Sequence, residues 1–446
     1  MTAIRARRLP VHRGPAAWAQ VLGAAPVTPP AEGKLTADIV VVGAGFAGMA
    51  AARRVVQIDP STSVIVIDAG AVAEGAAGRN SGFMIDLPHE LTSSDYAGVG
   101  DDATVTRLNR FAIEFAGDAV TDYGIDPNYF DRAGKVNGAA SASSDAANAR
   151  YAAHLSALGE ASERLDAQAM ADLTGSTHYL SGLYTPGTVV LQPAGYIRGM
   201  AAGLQRDGVR LYENTPMTAM GRQGSGWRVT TPNATIDAGR IIMTVNGHLE
   251  SFGFAKGRLM QLFLFASMTP DLDAEQLRLL GGADRWGITP SDPMGTTMRR
   301  IDTAQGGNRV VTRTCAAMRP NMASTPRDFA HATRVMRKKF EQRYPKLAGL
   351  KMEHVWAGHL CLSLNSVSVA GEIERNLFSG CVQNGLGTAR GTLTGIAAAE
   401  AACGVSSDIG THFAAEAAPK KLPPKPFRQW GANAIIRAKE WKARAD

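Results

Sequence analysis

A short run of apolar, β-branched residues forms the first regular pattern in the chain. The segment Asp38-Ile-Val-Val-Val-Gly43 has no polar position in its interior, which is typical of a strand buried on both faces. Small residues from Met49 to Val56 then predict a helix, which ends at Asp59-Pro60 because proline cannot continue it. Ser63 to Asp68 repeats the buried-strand pattern. Together these segments predict a βαβ unit of about thirty residues.

The pattern changes in the second half of the chain. Apolar and polar residues alternate along Leu259 to Met268, Thr296 to Ile301 and Arg309 to Cys315. Such alternation predicts antiparallel strands with one face toward a core or ligand and the other toward water. Helical patterns are predicted over about 103–123, 145–172, 194–206, 327–343 and 388–402. The chain therefore predicts an α/β (α+β) fold in which a parallel, Rossmann-type lobe is combined with an antiparallel sheet.

Composition excludes several classes of protein. Hydrophobic residues make up 45% of the 446 residues and charged residues 20%, as in globular proteins, and no apolar run approaches the length of a membrane span. The basic start has no apolar core behind it, so we expect no secretory signal and a cytoplasmic location. Four cysteines without C-x-x-C spacing argue against a disulfide framework or a metal site. The charge of +7 suits an anionic cofactor or acidic substrate, and we expect no nucleic-acid or membrane partner.

A glycine motif lies between the first buried strand and its helix. Gly43-Ala-Gly45-Phe-Ala-Gly48 has the spacing at which the first glycine permits a tight turn, the second admits a pyrophosphate and the third allows close helix packing. The helix N-terminus would direct free N–H groups at the anion. Asp68 ends the next strand, where a carboxylate can accept hydrogen bonds from a ribose. A coincidental tight turn is the alternative; otherwise the motif predicts a dinucleotide, FAD or NAD rather than NADP.

Three later motifs follow this one in a specific order. They are Gly78-Arg-Asn-Ser-Gly82, Leu191-Gln-Pro193 before a helix, and Asn384-Gly-Leu-Gly387 before the last long helix. With the glycine motif, this order resembles the D-amino-acid oxidase superfamily, and the branch that contains γ-glutamylputrescine oxidase and related amine oxidoreductases is most similar. Glycine and sarcosine oxidases are more distant. The resemblance covers about Ala37 to Gly404.

The resemblance implies FAD held between a Rossmann-type lobe and a sheet-based substrate lobe. The flavin would be non-covalent, since the Gly78 to Gly82 loop has no histidine or cysteine. It implies hydride transfer from the carbon that bears a neutral amine, and hydrolysis of the resulting imine. We assign lobes as an N-terminal arm over 1–36, an FAD-binding lobe over 37–115, 185–250 and 352–405, a substrate lobe over 116–184 and 251–351, and a basic tail over 406–446.

Cofactor contacts are carried over from the matching motifs. The loop at 78–82 would pass the flavin ring, and the segment at 384–387 would direct N–H groups at the N1 and O2 edge, where negative charge develops. A merely structural glycine turn is the alternative for that segment. The expected cofactor-binding residues are Gly43, Gly45, Phe46, Ala47, Gly48, Asp68, Ala69, Gly78, Arg79, Asn80, Ser81, Gly82, Asn246, Asn384, Gly385, Leu386, Gly387 and Thr388.

The substrate side departs from the resembled family. Where glycine-oxidase-like relatives have a carboxylate-binding arginine, this chain has Trp356-Ala-Gly-His359-Leu. That puts a plain α-amino acid in doubt and leaves an amine whose acidic group lies elsewhere or is absent. His359 is the candidate catalytic residue, as a donor or acceptor with a pKa near neutrality, and a structural histidine is the alternative.

Other candidates for substrate contact lie on the strands and after the flavin loop. Arg299 and Arg313, with Arg300, could meet an anion, although each could equally be an exposed strand arginine. Asp86, His89 and the aromatic Trp356 could line the cavity.

Two further hypotheses remain open from the sequence. One is a hydroxy-acid oxidoreductase on the same fold, and the other is a flavoprotein subunit in an electron-transfer complex. In the second, a small partner subunit or electron acceptor would dock on the basic arms, although the tail from Ala418 could instead pack on its own surface. The strand from Arg309 to Cys315 has no lysine above the expected flavin, which slightly favours a dehydrogenase over an oxidase.

Overall fold

The first buried strand belongs to a nine-stranded sheet in a computed structural model that describes residues 3–25, 28–90, 93, 97–98, 100–424 and 427–446. Numbered in chain order, its strands are β1 (Ile4–Arg5), β2 (Gly33–Val42), β3 (Val64–Ile67), β10 (Arg210–Tyr212), β11 (Ala219–Gln223), β12 (Gly226–Thr230), β13 (Ala234–Met243), β19 (Val369–Glu374) and β20 (Leu377–Cys381). The main order is β1-β11-β12-β13-β2-β3-β10, and β20 joins β13. Strands β2 and β3 are parallel, which confirms the βαβ unit.

The α-helices of the described residues pack partly on this sheet and partly on a second sheet. They are numbered α1 (Ala17–Gln20), α2 (Phe46–Ile58), α3 (Asp102–Asp122), α4 (Ala142–Ala157), α5 (Ala167–Thr174), α6 (Pro193–Arg206), α7 (Ala274–Leu280), α8 (Pro326–Arg343), α9 (Ala389–Cys403), α10 (Asp408–Ala415) and α11 (Phe427–Lys442). Helices α2 and α9 pack so closely that a Cβ on Gly395 would lie 2.1 Å from the carbonyl oxygen of Ala47. Small residues therefore bring the N-termini of both helices to the same region.

The second sheet contains the alternating strands. It consists of β6 (Lys135–Ala139), β7 (Glu163–Leu165), β8 (Ser181–Thr185), β14 (Leu259–Met268), β15 (Trp286–Pro290), β16 (Thr297–Ile301), β17 (Arg309–Met318) and β18 (His354–Ser363), in the order β18-β14-β17-β16-β15-β6-β8-β7. A third, small sheet contains β4 (Phe83–Met84), β9 (Val189–Leu191) and β5 (Phe130–Asp131). The mixed α/β (α+β) fold class is thus confirmed.

Register in the second sheet explains its two faces. Leu262 pairs with both Met318 and Leu360, so these residues share one face. The other face packs Phe263 and Ala317 against α8 through residues such as Met336. A bulge between Leu264 and Phe265 leaves Cys315 opposite no residue, with φ of 65°.

The structure differs from the sequence expectations at three places. Strand β18 belongs to the second sheet, although its residues fall in the segment assigned to the FAD-binding lobe. The helix expected over 145–172 is divided into α4, β7 and α5, because Gly159 adopts φ of 76° after α4. The N-terminal arm contributes β1 and the buried α1 rather than only covering the surface.

Both terminal segments pack on the body of the chain. Trp18 of α1 is fully buried and donates from Nε1 to the carbonyl oxygen of Asn80 at 2.8 Å. At the other end, α11 packs against β17, and the Asp446 side chain accepts from the backbone N–H of Ala140 at 2.9 Å. Within the described residues, no helix is long and apolar enough to cross a membrane.

Candidate active site

A cavity of about 820 Å³ extends from the carboxyl ends of β2 and β3 to one face of the second sheet. Open parallel sheets commonly bind ligands at the carboxyl ends of their strands. The volume is in the range that holds cofactors and small molecules. Because one cavity reaches both sheets, a ligand bound at the first can be in contact with a molecule held by the second.

The glycine motif makes the turn at the first end. Gly43 has φ of 110°, and a Cβ on Gly48 would lie 1.7 Å from the carbonyl oxygen of Gly43. Gly48 therefore closes the turn behind the cavity, while Gly45, Phe46 and Ala47 line it. A Cβ on Gly45 would meet only ordinary contact, 3.6 Å from the Cβ of Ala77. Gly45 is thus needed for the space it leaves on the cavity side rather than for the turn.

Two helix N-termini that open on the cavity have no side-chain cap. They belong to α2, which follows Gly45, and α9, which follows Thr388. Side-chain caps are present instead on α3, α4, α5, α6, α7, α8 and α10. Uncapped N–H groups and the positive end of the helix dipole attract an anionic or electron-rich group. The four-residue α1 also has no side-chain cap, but the N-termini of α2 and α9 are the ones that open on the cavity, and they fit a ligand with one such group at each place.

Asp68 lies where β3 meets the cavity. Its carboxylate accepts from the N–H of Ala44 at 2.7 Å and of Gly70 at 3.0 Å. Burial raises the pKa of Asp68, and these hydrogen bonds oppose the shift. Each carboxylate oxygen can accept more than one bond, so Asp68 both fixes the turn and can accept from a ribose hydroxyl. Ala69 lines the cavity beside it.

Only the central residues of the expected flavin loop line the cavity, and its two end residues lie behind them. Arg79, Asn80 and Ser81 line the cavity, whereas Gly78 and Gly82 do not. The two glycines support the loop from behind: a Cβ on Gly78 would lie 1.7 Å from the oxygen of Ala73, and Gly82 has φ of 80°. Direct contact of these two glycines with the cofactor therefore stays a prediction.

Hydrogen bonds hold this loop firmly in place. The Arg79 guanidinium donates to the carbonyl oxygens of Glu74 at 2.7 Å and Gly14 at 2.9 Å, and burial lowers its pKa to about 10. The Asn80 side chain accepts from the N–H of Gly82 at 2.7 Å. Much of the Arg79 donor capacity is thus used on the backbone.

The closing segment before α9 shows a similar division. Gly385, Leu386 and Gly387 line the cavity, while Asn384 and Thr388 lie outside it. The Asn384 side chain accepts from the N–H of Ser363 at 2.8 Å, and the Thr388 hydroxyl donates to the oxygen of Phe83 at 2.7 Å. These two residues tie the segment to β18 and β4, and their assignment as direct cofactor contacts stays a prediction.

Asn246 contributes a polar atom with no partner in the described structure. It follows β13, has φ of 48° and lines the cavity, and its Oδ1 is buried without a hydrogen bond. Buried polar atoms normally have partners, so this oxygen indicates a donor supplied by a ligand or water. The turn, the uncapped helices and this orphaned oxygen together fit a bound dinucleotide.

The second sheet forms an apolar wall at the other end of the cavity. Its contributions are Met260, Leu262, Leu264, Met318, Leu360 and Leu362. Arg313 of β17 lines the same region and is half-buried. His89 also lines it, and burial, with the charges of Lys135 and Arg313, lowers the pKa of His89 well below its ordinary value. His89 is therefore neutral, and Arg313 supplies positive charge near it.

Several expected substrate contacts lie outside the cavity. The buried Asp86 pairs with Arg110 at 3.2 Å, and the Trp356 indole donates to the oxygen of Arg79 at 3.0 Å. Arg299 is 1% exposed and donates to the oxygen of Ser81 at 3.1 Å. None of the three lines the cavity and each is held by these contacts, so a role in substrate binding stays a prediction. Arg300 likewise donates away from the cavity, to Gly281 at 2.7 Å.

His359 borders the cavity, yet its chemistry differs from the expectation. Burial lowers the pKa of His359 to about 3, and the charges of His12 and His248 add to the shift. Its Nε2 lies 2.9 Å from Oε1 of Gln261, an oxygen that can only accept, so Nε2 carries the proton. The expectation of a near-neutral pKa is therefore wrong, and His359 is a weak base fixed by Gln261.

Two terminal segments line the cavity without having been expected to do so. They contribute Leu9, Pro10 and His12 from the arm and Ala432, Ile435, Ile436 and Lys439 from α11. The second group has the i, i+3, i+4, i+7 spacing of one helix face, which was the signal available in the sequence. No group of three or more potential metal ligands occurs among the described side chains.

Comparisons with known proteins agree with this geometry. The model of the family described as "DAO: FAD dependent oxidoreductase" matches residues 38–401. A probable oxidoreductase OrdL of Rhizobium meliloti (strain 1021) is 24% identical over 416 residues, covering 90% of this chain and 91% of that protein.

Solved structures show the same fold. Glycine oxidase from Geobacillus kaustophilus superposes with a TM-score of 0.69 at 16% identity, over 84% of this chain and 96% of that one. L-proline dehydrogenase from P. horikoshii gives 0.64 at 15% identity, over 84% and 96%. At these levels of identity, the similarity shows the fold alone.

Proposed function

Because the chain belongs to the family of FAD-dependent oxidoreductases, we propose that it oxidises a small amine or amino acid at the carbon that bears the nitrogen. One observation carries the proposal: a single cavity joins the dinucleotide end, with its two uncapped helices, to an apolar wall with Arg313. A substrate held on that wall would therefore be adjacent to the cofactor.

FAD is the cofactor of this family, and the residues of the first end fit it. The N-terminus of α2 would hold the pyrophosphate, Asp68 a ribose, and the Gly385 to Gly387 segment the electron-rich edge of the ring. Bound there, FAD would supply the hydride acceptor for the oxidation, and the imine product would hydrolyse in water.

The chain's own residues orient the substrate and exclude water. The wall of leucine and methionine side chains favours the neutral amine over the ammonium ion, because an unpaired charge is costly in an apolar site. Arg313 would bind an acidic group of the substrate through its guanidinium. His359 is too weak a base to remove the ammonium proton efficiently, so we expect the substrate to enter as the free amine.

The named activities of the structural relatives favour this substrate class. Glycine oxidase and L-proline dehydrogenase are both named for amino acids, which join an amine to a carboxylate. The same pairing suits a cavity whose apolar wall lies next to Arg313.

The test is an anaerobic titration of the FAD-loaded protein. Small amines, amino acids, aminosulfonates and hydroxy acids are added in turn while the flavin absorbance is followed. Bleaching by one class of amine supports the proposal, and readmitting air then distinguishes an oxidase from a dehydrogenase. Bleaching by hydroxy acids alone would refute amine oxidation.

Arg313→Met tests the assignment of the acidic group. We expect KM for acidic amines to rise about 10- to 100-fold, the loss of one charge-assisted contact, while FAD content stays the same. Arg278→Met is the control, because Arg278 is exposed on α7 and pairs with Glu275 at 2.7 Å. Equal KM values in both variants would remove Arg313 from the substrate site.

A further inference from the structure

Helix α11 lies outside the residues that match the family model. It covers the part of β17 that β16 leaves without a partner, since the β16–β17 pairing ends at Thr297 and Arg313. Beyond that point the N–H of Ala316 donates to Oε1 of Glu440 at 2.8 Å, and the N–H of Met318 donates to Oδ1 of Asn433 at 2.9 Å. Side chains of α11 thus replace a neighbouring strand at this edge.

The segment after α11 is fixed by a second set of contacts. Asp446 is 2% exposed, and its carbonyl oxygen accepts from Nζ of Lys339 at 2.7 Å and from the Thr296 hydroxyl at 3.1 Å. The backbone N–H of Asp292 donates to the side chain of Asp446 at 3.3 Å. The adjoining residues Pro293 and Met294 line the cavity, so the same anchor stabilises a neighbouring part of the wall.

One face of α11 borders the cavity. Ile435, Ile436 and Lys439 line it together with Ala432. Ile435 is 59% exposed, so this face lies at the opening of the cavity rather than deep inside. This face of α11 therefore borders the opening of the cavity.

The charges along the cavity are distributed unevenly. Among the described lining residues, the acidic side chains are Asp68 and Glu74, and both belong to the dinucleotide end. The basic side chains Arg313 and Lys439 lie at the substrate end. Basic groups thus lie beside the apolar wall and the opening of the cavity.

We propose that α11 is part of the substrate site and that Lys439, with Arg313, selects amines that carry an oxyanion, such as a carboxylate or sulfonate. The inference rests on the proposed function for the identity of the amine, but binding of the oxyanion itself does not require turnover. Lys439 acts here as a specificity-determining residue. An ammonium group at the opening attracts anions of either kind, and the apolar face of α11 limits the size of the group that carries the anion.

The experiment compares Lys439→Glu with Lys442→Glu in the full-length, FAD-loaded protein. Both lysines are exposed on α11 and both substitutions change the net charge equally, but Lys442 does not line the cavity. Dissociation constants of acetate, succinate and methanesulfonate are measured from the change each causes in the flavin spectrum. We expect Lys439→Glu to bind these anions about tenfold more weakly than the wild type, with a smaller difference at high salt. Lys442→Glu should change the affinity by less than about twofold.

Separate outcomes test the two proposals. Equal affinities in the two variants would overturn the role of Lys439, whether or not amines bleach the flavin. Oxyanion binding that depends on Lys439, in a protein that no amine bleaches, would support the subsite while refuting amine oxidation. Because the anchors of α11 are Asn433, Glu440 and Asp446, neither lysine substitution removes a contact that holds the helix.

Discussion

At the dinucleotide end the cavity is lined mainly by glycine and alanine backbone, whereas at the substrate end it is lined by long apolar side chains with Arg313 and Lys439. Each part of the first end is a short local motif, such as Gly43 to Ala47, although these motifs also lie far apart in the chain, as far as Gly385 to Gly387. The second combines β14, β17, β18 and α11, which are far apart in the chain.

This difference has a physical cause. A pyrophosphate or a flavin edge is bound by N–H groups, which every residue except proline has, so the requirement is for space and backbone conformation. An amine substrate is distinguished by its shape and charge, which only side chains can match. Substitutions should therefore affect the first end through steric clashes and the second through charge and volume.

Gly48→Ala should have the largest effect of the substitutions considered. The added Cβ would lie 1.7 Å from the carbonyl oxygen of Gly43, and backbone cannot move aside as a flexible side chain can. We expect a loss of at least about 3 kcal/mol in the free energy of unfolding, and little bound FAD. Chemical denaturation and the flavin absorbance of the purified protein measure both. A variant with normal stability and FAD content would show that the turn is not needed.

Arg299→Lys should have the next largest effect, and it tests the boundary between the two ends. Arg299 donates to Ser81 and Leu191 and lies over the Trp18 ring at 4.9 Å, and a lysine cannot reproduce this fork. We expect a loss of about 2 kcal/mol in stability and weaker FAD retention, while KM of the loaded fraction stays unchanged. A raised KM with normal FAD retention would instead place Arg299 at the substrate.

His359→Gln should change how stability depends on pH. The pKa of folded His359 is about 3, whereas the ordinary value is 6.5. Below pH 6.5 the unfolded chain binds a proton at His359 that the folded chain does not. The free energy of unfolding is therefore unaffected by His359 above pH 6.5 and decreases as pH falls toward 3. At about pH 5 the loss is on the order of 2 kcal/mol.

The variant should therefore lose less stability on acidification than the wild type does, as measured by denaturation at a series of pH values. His331→Gln is the control, since His331 is only half-buried on α8, whereas His359 is buried. An unchanged pH dependence in His359→Gln would indicate that His359 is not buried as a neutral group.

The sequence could predict features that depend on local patterns. The βαβ unit and the antiparallel strands follow from periods of hydrophobic residues, and both are present. The three-dimensional environment of single side chains was not accessible in this way. Arg299 and Arg313 are the same residue type on neighbouring strands, and the pairs Arg299–Val311 and Thr297–Arg313 place them on one face. The packing of Trp18 and Ser81 against Arg299, which buries it, distinguishes it from the half-buried Arg313.

The contribution of α11 could not be predicted for a related reason. Its helical spacing of Ala432, Ile435, Ile436 and Lys439 indicates an apolar face but not what that face covers. The location depends on β16 beginning only at Thr297, which leaves N–H groups of β17 available to Asn433 and Glu440. Such a match between distant segments is visible only after the sheet is formed.

Gly45→Ala should have the smallest effect on stability. It tests whether Gly45 is needed for the space that it leaves in the cavity rather than for its backbone conformation. Gly45 has φ of −91°, and its added Cβ would meet only Ala77 at 3.6 Å, so stability should change by less than about 1 kcal/mol. The methyl group would occupy the cavity at the N-terminus of α2, and we expect FAD to bind at least about tenfold more weakly. Gly221→Ala, on β11 and away from the cavity, is the control. Retained FAD affinity in Gly45→Ala would mean that the anion does not approach this turn, and the comparison between the two ends would then fail.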